Sequence, residues 1–298
     1  MPPLPALQFR LSPWGRRAVE LILWLAAALG LLIGLGALRL HLSTDPLADV
    51  HAYYDAGARL NAGLPLYVQP AGTDDAAFYR YPPLLAIAFR PLALLPFEAA
   101  ATIWEACLLA ATAVTLARLP RRRATAVALG ILAMPILWTL AVGQAQALVT
   151  MLLAFGTPLG VALAGYLKLT PWLAGLYWVS RRDWRSLERL VIWVTALAVL
   201  QLALAPQATI DYLQFPSLAQ VGDVMNIGPY AASPVLWAVL VVVGIAVAWR
   251  IGPTRWGWAA AVALAVFATP RLLAYQLSSL LSGLVTPTDK RRQPESPA

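Results

Sequence analysis

The sequence predicts an all-α polytopic membrane protein, and three observations carry that prediction. The first is composition: 60% of the 298 residues are hydrophobic, the mean hydropathy is +0.68 and only 12% of residues are charged. A soluble domain carries roughly 25% charged residues. No water-soluble fold of this length buries so much apolar surface, so lipid is the solvent for much of the chain. The second is a series of long apolar runs. The third is the placement of the basic residues in short clusters between those runs. Despite a net charge of +8, this pattern reads as topology and not as a nucleic-acid surface. The expected architecture is a bundle of about 9–11 transmembrane or half-membrane helices with an outer first loop.

The elements follow in order. Run 18–42 opens like a signal peptide, basic then apolar. Its apolar core is too long and no small-residue cleavage site follows, so it is expected to remain as an anchor. Run 82–118 is too long for one span and is interrupted by prolines. We expect a re-entrant or interfacial piece over 82–96 and a true span after it. Run 124–142 is the next apolar run. Runs 145–157, 158–169 and 170–180 are short for single crossings, as half-helices broken near Pro158 and Pro171 or as kinked spans. Such breaks are tolerated only where protein or water satisfies the freed backbone groups. Runs 190–206, 234–249, 256–269 and 271–286 complete the set. Cys107 is the one cysteine; it excludes an intramolecular disulfide and a cysteine metal cluster, and reads as packing. No cofactor or metal is expected.

Charge sets the topology. Arg10, Arg16 and Arg17 precede the first run. Arg118 and Arg121–Arg123, then Arg181, Arg182, Arg185 and Arg189, then Arg250 and Arg255, and last Lys290–Arg292 mark the cytoplasmic side. Segment 43–80 holds five Asp and two Arg, and segment 207–233 holds two Asp and no Lys or Arg, so both lie outside. With 82–118 as one net crossing, the alternation closes and both termini are cytoplasmic. The division is a cytoplasmic N-terminus at 1–17, one transmembrane domain over 18–286 with outer loops 43–81 and 207–233, and a polar, disordered cytoplasmic tail at 287–298.

Candidate site residues gather at the outer face. Asp49, in "ADVHAYYDAG", either caps a helix over 50–61 or does acid–base work at the water–lipid boundary. Asp55 and Arg59 have the spacing of an i,i+4 pair. His51 lacks partners for a metal and reads as a polar loop residue. In "FYRYPPLLAIAFRPLALLP", Pro82 biases Tyr81 to an extended conformation, and Arg80 either meets an anion or anchors at the interface. Lys168, alone in "GVALAGYLKLTPWLAGLYW", is a functional candidate because an ionisable residue in the membrane costs several kcal/mol or about that; the alternative is snorkelling. Arg271 in "ATPRLLAYQLSSLL" has the same two readings. Gln144 and Gln146 lie at another outer turn, where they bind sugar hydroxyls or cap the helix.

The ordered motifs "DVHAYYDAGARLNAGLPLY", "YPPLLAIAFRPLALLP", "GQAQAL", "AGYLKLTPWLAGLYW" and "ATPRLLAYQL" resemble glycosyltransferase family 87, the polyprenol-phosphate-mannose-dependent α-mannosyltransferase-like proteins. The resemblance spans roughly residues 45–285. It implies the GT-C fold and a lipid-phosphate sugar donor used on the non-cytoplasmic side, in a bacterial plasma membrane. By position it implies Asp49 as general base and Lys168, Arg271 and Arg80 as holders of the donor phosphate. His51, Tyr53, Tyr81, Gln144 and Tyr275 are then the expected substrate contacts. The implied partners are a polyprenyl-phosphate sugar, a lipid or glycan acceptor and membrane lipids, with no nucleic acid. A transporter or flippase without chemistry is the alternative that broken helices also fit. Against it, there is no internal repeat and the polar residues gather at outer loops.

Overall fold

A computed structural model describes residues 12–68, 78–214, 225–285 and 287. The expected tail and the segments around Arg10, 69–77 and 215–224 lie outside the described residues. Every regular element among those described is helical. Helix α1 (Pro13–Thr44) begins with Ser12 accepting from the Gly15 N–H and with Pro13 in the first turn, an arrangement that satisfies an orphan donor and pre-sets φ. Helix α2 (Ala48–Asn61) follows almost at once, and Gly63 in the left-handed region ends its chain direction. Then come α3 (Pro83–Phe89) and α4 (Phe97–Arg118). The long apolar run over 82–118 thus resolves into a short packed helix and a span.

Run 124–142 does not form one helix. It splits into α5 (Arg123–Ile131) and α6 (Ala133–Ala141), bent by 53°. Pro135 explains the break: it has no N–H for the Ile131 carbonyl, and its ring crowds that oxygen. The bend lets α5 and α6 follow α1. At this contact a Cβ on Gly130 would stand 2.6 Å from the Ala27 Cβ, so only glycine allows the approach.

Helices α7 (Gln146–Phe155) and α8 (Pro158–Leu167) are half-length, and a 3-10 helix (Thr170–Gly175) leads into α9 (Leu176–Ser180). The chain continues through α10 (Trp184–Leu204), α11 (Pro206–Gln214), α12 (Pro229–Ala232), α13 (Pro234–Ile251) and α14 (Gly257–Phe267). The expected last helix is a 3-10 segment over Ala274–Leu284. Ser278 Oγ donates to the Tyr275 carbonyl and Ser282 Oγ to that of Ser279, so hydroxyls occupy i−3 carbonyls and favour the tighter winding.

Helices α1, α4, α10 and α13 are long and apolar enough to cross a membrane, and the bent α5–α6 pair makes a fifth if counted as one span. Only 6% of the α13 span is buried inside the protein; such an apolar surface is stable in lipid and not in water. Cys107, expected as packing, is exposed on α4. The described passes run between two ends. At one, Arg123 pairs with Glu20 at 3.2 Å, Arg118 Nε donates to the Ala154 carbonyl at 3.0 Å and Arg181 to that of Pro253 at 3.3 Å. At the other, α1, α6, α8 and α14 all finish, and a cavity opens.

Candidate functional site

The cavity has a volume of about 680 Å³, and Asp49, Arg80, Lys168 and Arg271 all line it. Its walls are largely apolar and aromatic, including Trp138, Leu173, Trp237 and Val241, with Asp45, Thr170, Thr269 and Gln276 adding polar groups. Helix α8 begins near the basic end, so its ten residues carry Lys168 about 15 Å along the bundle. That is about half the ~30 Å thickness of a hydrocarbon core. The cavity is therefore a recess, not a surface dimple.

Asp49 reaches it because the chain turns sharply after α1. Leu47 sits in the left-handed region at φ 56°. Its N–H donates to the Ala141 carbonyl, and the Asp49 N–H donates to Val142 at 3.0 Å. The C-terminal carbonyls of α6 thus satisfy the first donors of α2. No side chain caps this helix, which overturns the capping reading of Asp49: it lies inside the first turn, and its carboxylate is left for the cavity. Burial pushes the Asp49 carboxyl up to about 6, while Lys168, Arg271 and Arg80 pull it down.

Behind Asp49 stands Gln144, 1% exposed. Its Nε2 donates to Asp49 Oδ1 at 2.9 Å. Tyr53 donates to its Oε1 at 2.7 Å. The turn that presents Gln144 needs Gly143, at φ 70°, and the Trp104 indole N–H holds the Gly143 carbonyl at 2.8 Å. Gln146 points elsewhere, donating to Ser279 Oγ at 2.7 Å.

The cations come from separate elements. The stretch around Arg80 is fixed by Tyr79, whose hydroxyl donates to the Pro82 carbonyl at 2.6 Å and accepts from the Ala86 N–H at 3.0 Å. Lys168 ends α8 in an extended conformation. Its ammonium lies 4.5 Å from the Tyr275 ring and 5.5 Å from that of Tyr81. Arg271 rides on a turn that Asn226 ties at both sides: Asn226 Nδ2 donates to the Pro270 carbonyl, and its Oδ1 accepts from the Leu272 N–H, each at 3.0 Å.

The structure brings together Asp49, Arg80, Tyr81, Lys168, Arg271 and Tyr275 around one space. It does not bring the others there. His51 is exposed and stacks on Phe97 with ring centroids 3.8 Å apart, so it is corrected from substrate contact to surface packing. Tyr53, fully buried, and Gln144 form the wall behind Asp49 and do not line the cavity. The Asp55–Arg59 pair does not form; Arg59 Nε donates to the Pro65 carbonyl at 2.7 Å. Sequence reasoning missed Asp45, which lines the cavity and binds His41 Nδ1 at 2.9 Å. Its helical spacing from both His41 and Asp49 was visible, but a helix break falls between the two acids. It also missed Asn226, which no local pattern marks. Among the described residues no group of three or more His, Cys, Asp or Glu could hold a metal ion.

The glycosyltransferase family 87 model matches residues 78–285. That stretch includes every cavity cation but begins after Asp49. The polyprenol-phosphate-mannose-dependent alpha-(1-2)-phosphatidylinositol pentamannoside mannosyltransferase of Mycolicibacterium smegmatis is 32% identical over 206 residues. The alignment covers 62% of this chain and 49% of that protein, so the chain spans about half the length of this relative. No solved structure matches. With most of its length matched and its cavity cations inside the match, this helical membrane protein belongs to glycosyltransferase family 87.

Proposed function

We propose that the chain is a membrane glycosyltransferase that moves a hexose, mannose by analogy with the donor in the relative's name, from a polyprenyl phosphate to an acceptor hydroxyl on a lipid or glycan. The observation that supports this reading best is the convergence of Asp49, a second carboxylate at Asp45 and three cations on a single recess walled largely by apolar side chains. An anionic phosphate, a sugar ring and a lipid chain each find matching chemistry there.

In this mechanism the acceptor oxygen attacks the anomeric carbon. The bond from that carbon to the phosphate oxygen breaks, and its electron pair leaves with the polyprenyl phosphate. Asp49 takes the acceptor proton. Lys168, Arg271 and Arg80 stabilise charge that grows on the phosphate in the transition state and is smaller in the ground state. Because α8 sets Lys168 deep in the bundle, the phosphate descends to the cations while its lipid chain stays against the apolar wall.

The reading includes orientation. The clusters around Arg16, Arg118–Arg123, Arg181–Arg189 and Arg250–Arg255 lie together at the end away from the cavity, and positive residues favour the cytoplasmic side. The active site is then extracytoplasmic, in a bacterial plasma membrane, with one transmembrane domain over 18–286 and both termini inside. The test is transfer from radiolabelled polyprenyl-phosphate mannose to lipid extract by membranes holding the protein. Loss of transfer in Asp49→Asn, with normal insertion, is the expected result. An Asn variant that transfers at the normal rate ends the assignment.

A further inference from the structure

The polarity of the Gln144 amide is set by the backbone. An amide side chain offers oxygen on one side and nitrogen on the other, and its orientation must follow from its neighbours. The Ala145 N–H, which can only donate, approaches the Tyr53 hydroxyl oxygen at 3.3 Å. The single Tyr53 proton points to Gln144 Oε1, which it meets at 2.7 Å. That leaves the Gln144 NH2 facing Asp49 Oδ1 at 2.9 Å. Tyr81 lies 3.0 Å from Oε1 and 2.8 Å from Nε2; its hydroxyl donates to the first or accepts from the second, and either is compatible with this order. A flipped amide would set oxygen against a carboxylate oxygen and nitrogen against the Tyr53 proton.

We infer that Ala145, Tyr53 and Gln144 form a one-way hydrogen-bond relay that positions Asp49, engaging Oδ1 from behind and leaving Oδ2 as the oxygen that accepts the acceptor's proton. The inference rests on the reading of Asp49 as base. Gln144 here is a positioning residue, not a sugar contact: it is buried behind the acid and touches no cavity space. An N–H donated to a carboxylate favours the charged form, which a base must have before reaction. The other groups facing Asp49 are Tyr53 one turn along α2, Arg80 and Tyr81 from the stretch before α3, Lys168 after α8, and Arg271 and Tyr275 from the last segment. Tyr53 lies outside the cavity lining and acts through Gln144; the rest line the cavity and meet substrate.

The experiment uses the full-length protein in membranes. Gln144→Leu should lower kcat about ten-fold or more, move the acidic limb of the kcat profile up by about one pH unit, and leave the donor KM within about two-fold. Tyr53→Phe keeps the buried ring and removes the hydroxyl that sets the amide, with the Ala145 N–H losing its acceptor. It should shift the limb in the same direction, and the Tyr53→Phe/Gln144→Leu double variant should be no worse than Gln144→Leu. Infrared pH titration of the purified protein gives a readout independent of turnover: the carboxyl band absent in Asp49→Asn should titrate at higher pH in both single variants. If Asp49→Asn is inactive but neither the profile nor the band moves in either variant, the relay is wrong and the base survives. If Asp49→Asn transfers sugar at the wild-type rate, the base reading itself fails.

Discussion

The ammonium of Lys168 lies 3.5 Å from the Tyr275 hydroxyl and 4.5 Å from the centre of its ring. An aromatic face attracts a cation, and more so when water is excluded. Tyr275 in turn meets Trp138 edge-on at 5.6 Å. Lysine is thus steered by a packed aromatic pair toward the space that the donor phosphate would occupy. Lys168→Met should reduce kcat/KM for a polyprenyl-phosphate donor by roughly ten- to a hundred-fold, the value of one charge-assisted bond. Tyr275→Leu should raise the donor KM, because the intact lysine loses the ring that steers it. Initial rates against donor concentration check both.

The pH dependence has a definite sign. The Asp49 carboxyl is raised to about 6 by burial, so the fraction ionised falls as the pH drops through that region. A base works only when ionised. Transfer should therefore be full near neutral pH and decline below about 6, with a loss that Asp49→Glu shifts but does not abolish. A pH–rate profile in buffers of constant ionic strength measures it.

Asn226 offers a test at a distance from the charge itself. Its amide binds the backbone on both sides of Arg271 and also accepts from the Gly228 N–H at 2.8 Å. Asn226→Ala leaves buried backbone groups without these bonds, at about 1–3 kcal/mol. The donor KM should rise as the Arg271 turn loosens, even though Arg271 is intact. Arg271→Gln combined with Asn226→Ala should then be little worse than Arg271→Gln alone.

The α1 contact should be intolerant of bulk. A valine at Gly130 would drive side-chain atoms into Ala27 of α1. Overpacking of this kind costs about 1–3 kcal/mol. Gly130→Val should lower the melting temperature in detergent, and, because α1 leads directly into α2, should also lower transfer. Fluorescence-detected thermal unfolding and the transfer assay report the two effects.

His51 should matter little to the chemistry. It lies on the outside of α2 against Phe97. His51→Ala should keep transfer within about two-fold and cost about 0.5–1.5 kcal/mol of stability, the range for an aromatic pair.

The sequence disclosed what depends on composition and local pattern. Apolar runs located the long helices, because lipid demands unbroken apolar length, and Pro158 correctly marked the start of a half-helix. Lys168 and Arg271 stood out because charge is costly in apolar surroundings. What stayed hidden depends on contacts distant along the chain. Asp49 looked like a helix cap until α6 was seen to supply the acceptors. Gln144 looked like a sugar contact, since nothing local shows that Tyr53, 91 residues away in sequence, takes its oxygen. Pro135 was visible in an apolar run, yet its bend became meaningful only beside α1. His51 drew notice for its rarity, which carries no information about where it points.

The 3-10 winding of Ala274–Leu284 sets how far a short piece of chain can reach. Eleven residues rise about 22 Å in this form, against about 16 Å as an α-helix. One stretch that starts beside the cavity cations can therefore arrive near Gly156 at the far end, where Pro287 packs. Three residues per turn also align Gln276, Ser279 and Ser282 in a single file. The stretch thus acts as a tie-rod, fixing the depth of the recess against the opposite rim and so the distance a phosphate must sink before it meets its cations.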